Sequence, residues 1–537
     1  MTKRRDWLVY SLLLAVALLG VWVLLLSTHW GPGIGGDATI YITSARNLLE
    51  GRGLGLIGPR GEFRLLPYFP PFFSLVLSAG GALGLDLVKT AHGLNVLLFA
   101  ALIWLAGFET YRIFRSLSLA LLASLALLAS PVLIPVYSWA MSEPLALFLG
   151  FAGIVLLLDF LQNPGRRGLL IGAALLAGLS TATRYSSIAF VGAGALGLLV
   201  LNGRRWRERL TQAATYLVVG ILPVALWMVY DLSQTATLSS RSIETGMAQR
   251  VANLWPALSQ VFMFWFIPDS WISNPPYPAF LNIALVCGAL AALAAWVVWM
   301  LWAKKRSASG GINDCAGRML VLLSLFMLAY LAVVALVYIT TYPPITIGSR
   351  MLSPVHVTAI WLLVVLVGMS SIQLTRPAWL KGALVLALAV LTAWYGWRSV
   401  RIVQQNYELG LGYTSLAWQY SETIAAVQQL PPDALIVTNE ENAILFLTGR
   451  HSYPLAEIYY DQSLAEFTRY GDGDLTQDEA QRLFRQDGAA LVLFDSIHSQ
   501  LEGLYGERLD ARVSSLVQGL EVSFRGDDGA IYYYPER

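Results

Sequence analysis

Residues 3–37 read KRRDWLVYSLLLAVALLGVWVLLLSTHWGPGIGGD, and this stretch decides the class of fold. Residues 7–28 carry no charge, and a bilayer core of roughly 30 Å needs about 20 apolar residues of helix to cross it. Lys3, Arg4 and Arg5 precede the run and predict a cytoplasmic N-terminus. The run is too long for a secretory signal and has no small-residue cleavage site, so it reads as a retained span. The rest of the chain repeats the pattern. Of 537 residues, 56% are hydrophobic and only 13% charged, with a mean hydropathy of +0.59. That is more apolar surface than a soluble core hides, which predicts a polytopic membrane protein. The formal charge of +2 gives no electrostatic sign of a nucleic-acid partner, and none is expected.

Eleven spans are expected, at about 7–28, 90–111, 117–136, 143–161, 168–183, 186–202, 211–231, 279–303, 319–341, 354–372 and 381–397. The fifth and sixth are short and also read as one broken re-entrant pair. With the N-terminus inside, the cytoplasmic connections hold 17 Lys and Arg against nine in the outer loops at 29–89, 232–278 and elsewhere. This asymmetry sets the orientation, and the odd span count puts the C-terminal part outside. Composition changes at about Arg398: 21 of the 34 acidic residues lie at Glu408 or beyond. Residues 1–397 therefore form the membrane domain and 398–537 a soluble extracytoplasmic domain. Helices are expected at 421–430 and 477–486, strands at 434–438 and 490–494, and a hairpin of 520–524 with 530–534, together a small α/β unit. Cys287 lies in an apolar run and Cys315 in a polar loop, so neither a disulfide nor structural zinc is expected.

Polar chemistry should gather at the membrane surface. In the loop after the first span, Ala38, Tyr41, Ile42, Ala45, Leu48 and Leu49 recur at helical spacing, giving an interfacial amphipathic helix over 38–50 with Asp37 at its start. Asp37 either caps that helix, worth about 1 kcal/mol, or serves as a general base at headgroup depth. Glu143 lies between the third and fourth spans, where an acid is costly unless paired or wet. Its alternative is a helix-start carboxylate favoured by the dipole, with Pro144 in the first turn. Arg350, ahead of the tenth span, and Arg184, between the short spans beside Tyr185, are candidates to grip phosphate oxygens. Snorkelling of Arg350 and an ion pair at Arg184 are the plainer readings.

Asp37 with Tyr41, Ala45-Arg46-Asn47-Leu48, Gly51-Arg52-Gly53-Leu54 and Tyr68-Phe69-Pro70-Pro71-Phe72-Phe73-Ser74-Leu75 resembles the first loop of GT-C glycosyltransferases. The similarity is to the branch of protein O-mannosyltransferases and the lipid A aminoarabinose transferase. Leu94-Asn95, Ser142-Glu143-Pro144, Arg184-Tyr185-Ser186, Gly348-Ser349-Arg350-Met351-Leu352-Ser353-Pro354 and Thr448-Gly449-Arg450 follow in the expected order. The resemblance implies transfer of a hexosyl or pentosyl unit from a polyprenyl-phosphate donor to an extracytoplasmic lipid, glycan or protein acceptor, with inversion. It also implies Asp37 as base, Glu143 as acidic partner, and Arg350, Arg184, Tyr185 and Tyr41 as substrate-binding residues. That family often has two adjacent acids where this chain has Asp37-Ala38. Asp37 and Glu143 would hold a divalent cation, if there is one, but two carboxylates do not establish a metal site.

A transferase needs these four charged groups to converge on one cavity, Asp37 facing the arginines across room for a sugar ring, with an apolar groove for the lipid tail. The rival is a transporter or flippase of a lipid-linked saccharide, which would keep its ionisable residues near the bilayer midplane. A non-catalytic membrane receptor is a second rival. Gly53-Leu54-Gly55-Leu56-Ile57-Gly58 matches a dinucleotide fingerprint but leads into Pro59 rather than a helix, and is rejected. His92 reads as a packing residue. Trp255, Trp265 and Trp271 read as interfacial anchors, with sugar stacking as the alternative. Asp231 and Asp269 read as solvated, with acceptor contact as the alternative.

Overall fold

The computed structural model describes residues 2–58, 61, 63–66, 69–235, 242–243, 247–267, 312–342, 345–372, 378–455, 488–505 and most of 510–533. A helical bundle carries a small sheet at one end. The first helix, α1 (Thr2–Ser27), is followed by α2 (Gly36–Leu49), a hairpin of β1 (Gly55–Ile57) and β2 (Phe63–Leu65), and α3 (Phe72–Ala82). The bundle continues with α4 (Leu87–Phe114), α5 (Leu117–Leu128), α6 (Leu133–Ser138), α7 (Glu143–Gln162), α8 (Arg167–Thr183), α9 (Ile188–Leu201), α10 (Trp206–Thr235) and α11 (Met247–Phe266). A two-residue pairing of β3 (Ser242–Ile243) with β4 (Thr341–Tyr342) flanks α12 (Ile312–Thr340), after which come α13 (Ser353–Ile372) and α14 (Ala378–Leu409). Among the described residues five helices are long and apolar enough to cross a membrane, and five more are shorter apolar helices. The expected span at 279–303 lies outside the described residues.

Local chemistry explains the helix ends. Asp86 accepts the Lys89 N–H at 2.9 Å and starts α4, and Arg115, at φ 52°, stops it in the left-handed region. The expected single span at 117–136 is corrected to two helices. Ser130 and Pro131 interrupt it, and the Ser130 hydroxyl accepts the Leu133 N–H at 3.1 Å to start α6. The two short spans are separate helices joined by a single turn at Tyr185–Ser187. The loop expected at 232–278 contains α11, and α14 runs on to Leu409, past the composition change.

At the end of the bundle away from the sheet, Arg112 of α4 binds Asp159 of α7 and, at 3.0 Å, the buried Glu109, while Tyr111 donates to Asp6 of α1 at 2.7 Å. Asp159→Asn should cost about 1–3 kcal/mol, since it removes the charged partner of a half-buried guanidinium. A lower melting temperature of the purified protein in micelles checks this.

After α14 come α15 (Leu416–Gln419), α16 (Glu422–Gln429), β5 (Ile436–Thr438), α17 (Glu441–Thr448), β6 (Tyr453–Pro454), β7 (Ala490–Phe494), α18 (Ser496–Tyr505), β8 (Glu521–Gly526) and β9 (Gly529–Tyr533). The sheet order is β6-β5-β7-β9-β8; β6, β5 and β7 are parallel, and β9 runs antiparallel to β7 and β8. The α/β character and the hairpin match the sequence expectation. The expected helix at 477–486 lies outside the described residues. Core residues Tyr413 and Ala443 join the hydrophobic core of the bundle, so sheet and bundle share packing.

Candidate active site

The site begins where α1 ends. Residues 28–35 double back, and Gly33 pairs in parallel with Trp139: its N–H donates to the Ser138 carbonyl and its carbonyl accepts from Ala140, both at 2.9 Å. A Cβ on Gly33 would stand 2.6 Å from the Trp139 ring, so the indole lies flush on bare backbone. The chain then enters α2 at Gly36. Asp37 sits inside the first turn, and no side chain caps this helix, so the capping reading of Asp37 is corrected. Nor does α2 merely float at an interface. Ala38, Tyr41, Ile42 and Ala45 are buried, and Ser74 of α3 donates to the Tyr41 carbonyl at 3.2 Å.

Glu143 is the first residue of α7, with Pro144 behind it. Its approach is set by Asn95 of α4, whose amide donates to the Trp139 carbonyl at 2.8 Å and the Met141 carbonyl at 3.3 Å. Arg184 ends α8 in extended conformation, and Arg350 stands in the turn before α13. Tyr330 of α12 holds that turn by donating to the Met351 carbonyl at 2.8 Å.

Four sequence-distant charges meet. Arg350 Nη2 donates to Asp37 Oδ2 at 2.7 Å and its Nε lies 3.1 Å from Glu143 Oε1, while Arg184 Nη1 reaches the same Oε1 at 2.6 Å. Charges of −2 and +2 cancel, which is how an acid 2% exposed is tolerated. Glu143 Oε2 has no hydrogen-bond donor among the described residues. Arg184 also points at the Ser142 hydroxyl at 3.5 Å, and Tyr41 lies 3.0 Å from that hydroxyl. Burial pushes the Tyr41 hydroxyl well above the ordinary tyrosine range, so it remains a neutral donor. Asp37 was expected opposite the arginines across a gap; the structure puts it in contact with Arg350 instead. Opposite charges in a partly desolvated site attract strongly enough to draw the two side chains together.

Two cavities flank the cluster. One of about 10 Å³, enough for roughly one water, is lined by Glu143, Arg184, Tyr330 and Arg350 among others. The other, of about 320 Å³, is apolar and lined by Pro131, Val132, Pro135, Trp139, Met141 and Phe264, with Ser349 and Arg350 at its polar margin.

Not every candidate joins. Tyr185 lies instead beside Trp227 and Asp231 of α10. Asp231 is 3% exposed, so it is not solvated as expected. Trp265 is buried and packs edge-to-face with His356, 4.7 Å between ring centres, which removes it as a sugar platform. Asp269 and Trp271 lie outside the described residues. His92 meets the Thr28 hydroxyl at 2.8 Å, a packing role, and residues 55–57 of the rejected fingerprint form β1. Asp37 and Glu143 do not fit a divalent cation as arranged: both are occupied by Arg350, and no third His, Cys, Asp or Glu groups with them among the described residues. Ser142, Tyr330 and Trp139 were missed. Polar or aromatic residues within apolar stretches carry no periodic signal.

No protein-family model and no curated protein matches the chain. Solved structures do. The chain is similar to the crystal structure of ArnT from Cupriavidus metallidurans bound to undecaprenyl phosphate, at 14% identity and a TM-score of 0.50 over 98% of each chain. It is also similar to the oligosaccharyltransferase of Archaeoglobus fulgidus in its apo form, at 10% identity and a TM-score of 0.52, over 98% of this chain and 74% of that one. The chain shares the fold of both, and it is a polytopic helical membrane protein with a small sheet domain at its C-terminal end.

Proposed function

We propose that the chain is a membrane glycosyltransferase that moves a hexosyl or pentosyl unit from a polyprenyl-phosphate donor to an extracytoplasmic lipid, glycan or protein hydroxyl, with inversion. The observation that carries this reading is the position of Arg350, which pairs with Asp37 and also borders the 320 Å³ apolar cavity. A group that suits both features has a phosphate at one end and a hydrocarbon chain at the other. The similar ArnT structure holds such a lipid, undecaprenyl phosphate.

In this mechanism the lipid tail enters the apolar cavity and the donor phosphate engages Arg350, with Arg184 behind it. The phosphate competes with Asp37 for the guanidinium and releases the carboxylate. Asp37 takes the proton of the acceptor hydroxyl, and the acceptor oxygen attacks the anomeric carbon from the face opposite the phosphate. The bond from that carbon to the phosphate oxygen breaks, its electron pair leaving with polyprenyl phosphate, where the two arginines stabilise the charge. Glu143 Oε2, buried and without a donor among the described residues, offers a second acceptor for a substrate hydroxyl. Purified protein given a panel of radiolabelled polyprenyl-phosphate sugars and membrane acceptors should transfer label and release polyprenyl phosphate. Movement of an intact lipid-linked sugar across vesicles, with no bond broken, would support the transporter instead.

The same reading places the protein in the cell membrane, with the N-terminus cytoplasmic and residues 398–537 as an extracytoplasmic domain. After replacement of Cys287 and Cys315 by serine, Tyr420→Cys should react with an impermeant thiol reagent in intact cells and Trp206→Cys should not. Both positions are exposed, at 79% and 60%. The opposite labelling pattern overturns the orientation.

A further inference from the structure

The proposed base is presented by Gly31-Pro32-Gly33-Ile34-Gly35-Gly36, a segment with almost no side chains to anchor it. Its place is set by what lies on either side. On one side the Trp139 ring covers Gly33 and Gly35; a Cβ on Gly35 would stand 2.9 Å from that ring. On the other side runs the chain leaving α14. The Tyr413 N–H donates to the Ile34 carbonyl at 2.8 Å, and the Thr414 hydroxyl is shared between the Pro32 and Leu411 carbonyls, each at 2.8 Å. Between these two contacts and α14 stands Gly412, at φ +53°, where a Cβ would come within 2.1 Å of the Ile34 oxygen. Two separate requirements, the left-handed backbone and the lack of any room, both demand glycine.

We infer that Gly412 is a positioning residue for Asp37, and that the chain beyond the last membrane helix sets where the carboxylate stands through backbone contact at Ile34. This rests on Asp37 being the base. Ile34 and Asp37 are three residues apart, and the intervening glycines are held: Gly35 faces Trp139, and a Cβ on Gly36 would meet the Asn442 amide of α17 at 3.4 Å. A displacement at Ile34 is therefore passed on to Asp37 instead of being absorbed. The C-terminal region thus acts as one jaw of the catalytic centre. The arginines come from α8 and the turn before α13, which make none of the contacts at Ile34, so the larger effect is expected on turnover.

The test compares full-length Gly412→Ala with Gly488→Ala in proteoliposomes. Gly488 has a similar φ of +68°, but nothing lies within 4 Å of its Cβ position, so it carries the backbone strain without the contact. Gly412→Ala should lower kcat by about tenfold or more, as a misplacement on the order of 1 Å does. Its KM for donor should stay within about twofold, and Gly488→Ala should keep the parent kcat. Should Gly412→Ala fail to fold, Thr414→Val, which loses the bond to Pro32, should lower kcat at unchanged melting temperature. Parent-like kcat in Gly412→Ala, an equal fall in Gly488→Ala, or a parent-like Thr414→Val in the fallback overturns the inference. Asp37→Asn tells the two readings apart. Normal transfer by that variant sinks the base assignment, whereas an inactive Asp37→Asn beside a normal Gly412→Ala sinks only the positioning role.

Discussion

Asp37→Asn lowers sugar transfer by roughly 100-fold or more while the protein stays folded. The size follows from losing the group that accepts the acceptor's proton. That the fold survives follows from the geometry. Asp37 makes no capping bond that α2 needs, and its ion pair with Arg350 is part-exposed, with side chains 35% and 46% accessible. Pairs of that kind contribute about 0–1 kcal/mol. Arg350 also keeps Glu143 as a partner when Asp37 is neutral. Transfer assayed with saturating donor, alongside a melting curve of the same preparation, separates the two effects. Near-parental turnover in the asparagine variant would leave the mechanism without a base.

Glu143→Gln is the more damaging change for the fold. Its carboxylate, 3% accessible as a side chain, sits between two guanidiniums, and the Arg184 side chain is itself only 21% accessible. Removing the negative charge leaves Asp37 alone against two cations and gives Arg184 only a weak amide acceptor, and breaking a buried pair from one side costs about 3–5 kcal/mol. A marked fall in melting temperature and in the yield of monodisperse protein is expected. Glu143→Gln combined with Arg184→Met should regain much of that stability, because charge is again balanced, yet should not regain transfer, because a phosphate ligand is gone. A Glu143→Gln protein that melts like the parent would mean the cluster is wetter and less tightly coupled than its distances indicate.

These two residues show how far the sequence could be read. Asp37, Glu143, Arg184 and Arg350 each stand at the end of an apolar run, where a charge is conspicuous, and topology alone puts those ends on one side of the membrane. Which of them touch was not legible, because side-chain pairing is set by packing between distant segments. Tyr185, next to Arg184 in sequence, faces α10 because the short turn rotates it away. The hairpin of β8 and β9 was legible from Gly526-Asp527-Asp528-Gly529, and β7 from its unbroken apolar residues. Helix α17 was not: it has eight residues and opens with Glu441 and Asn442, too short for a periodicity to emerge. The break between α5 and α6 hid inside a continuous apolar stretch, where only Ser130-Pro131 marked it. Gly412 looked like one turn glycine among many, since the oxygen it must clear lies more than 370 residues away in sequence.

The length of α14 has a mechanical side. Its 32 residues make a rod of roughly 48 Å at about 1.5 Å per residue, against a hydrocarbon thickness of roughly 30 Å. The surplus is what a strut needs to cross such a slab and still hold the sheet beyond its end. The angle at which a strut leans depends on the thickness of the slab it pierces. Trp30 donates to the Tyr407 carbonyl and Asn406 to Ser27, so the far end of the strut is bolted to the root of the segment that carries Asp37. Any change in the lean of this rod is therefore delivered to the residues that lead into Asp37.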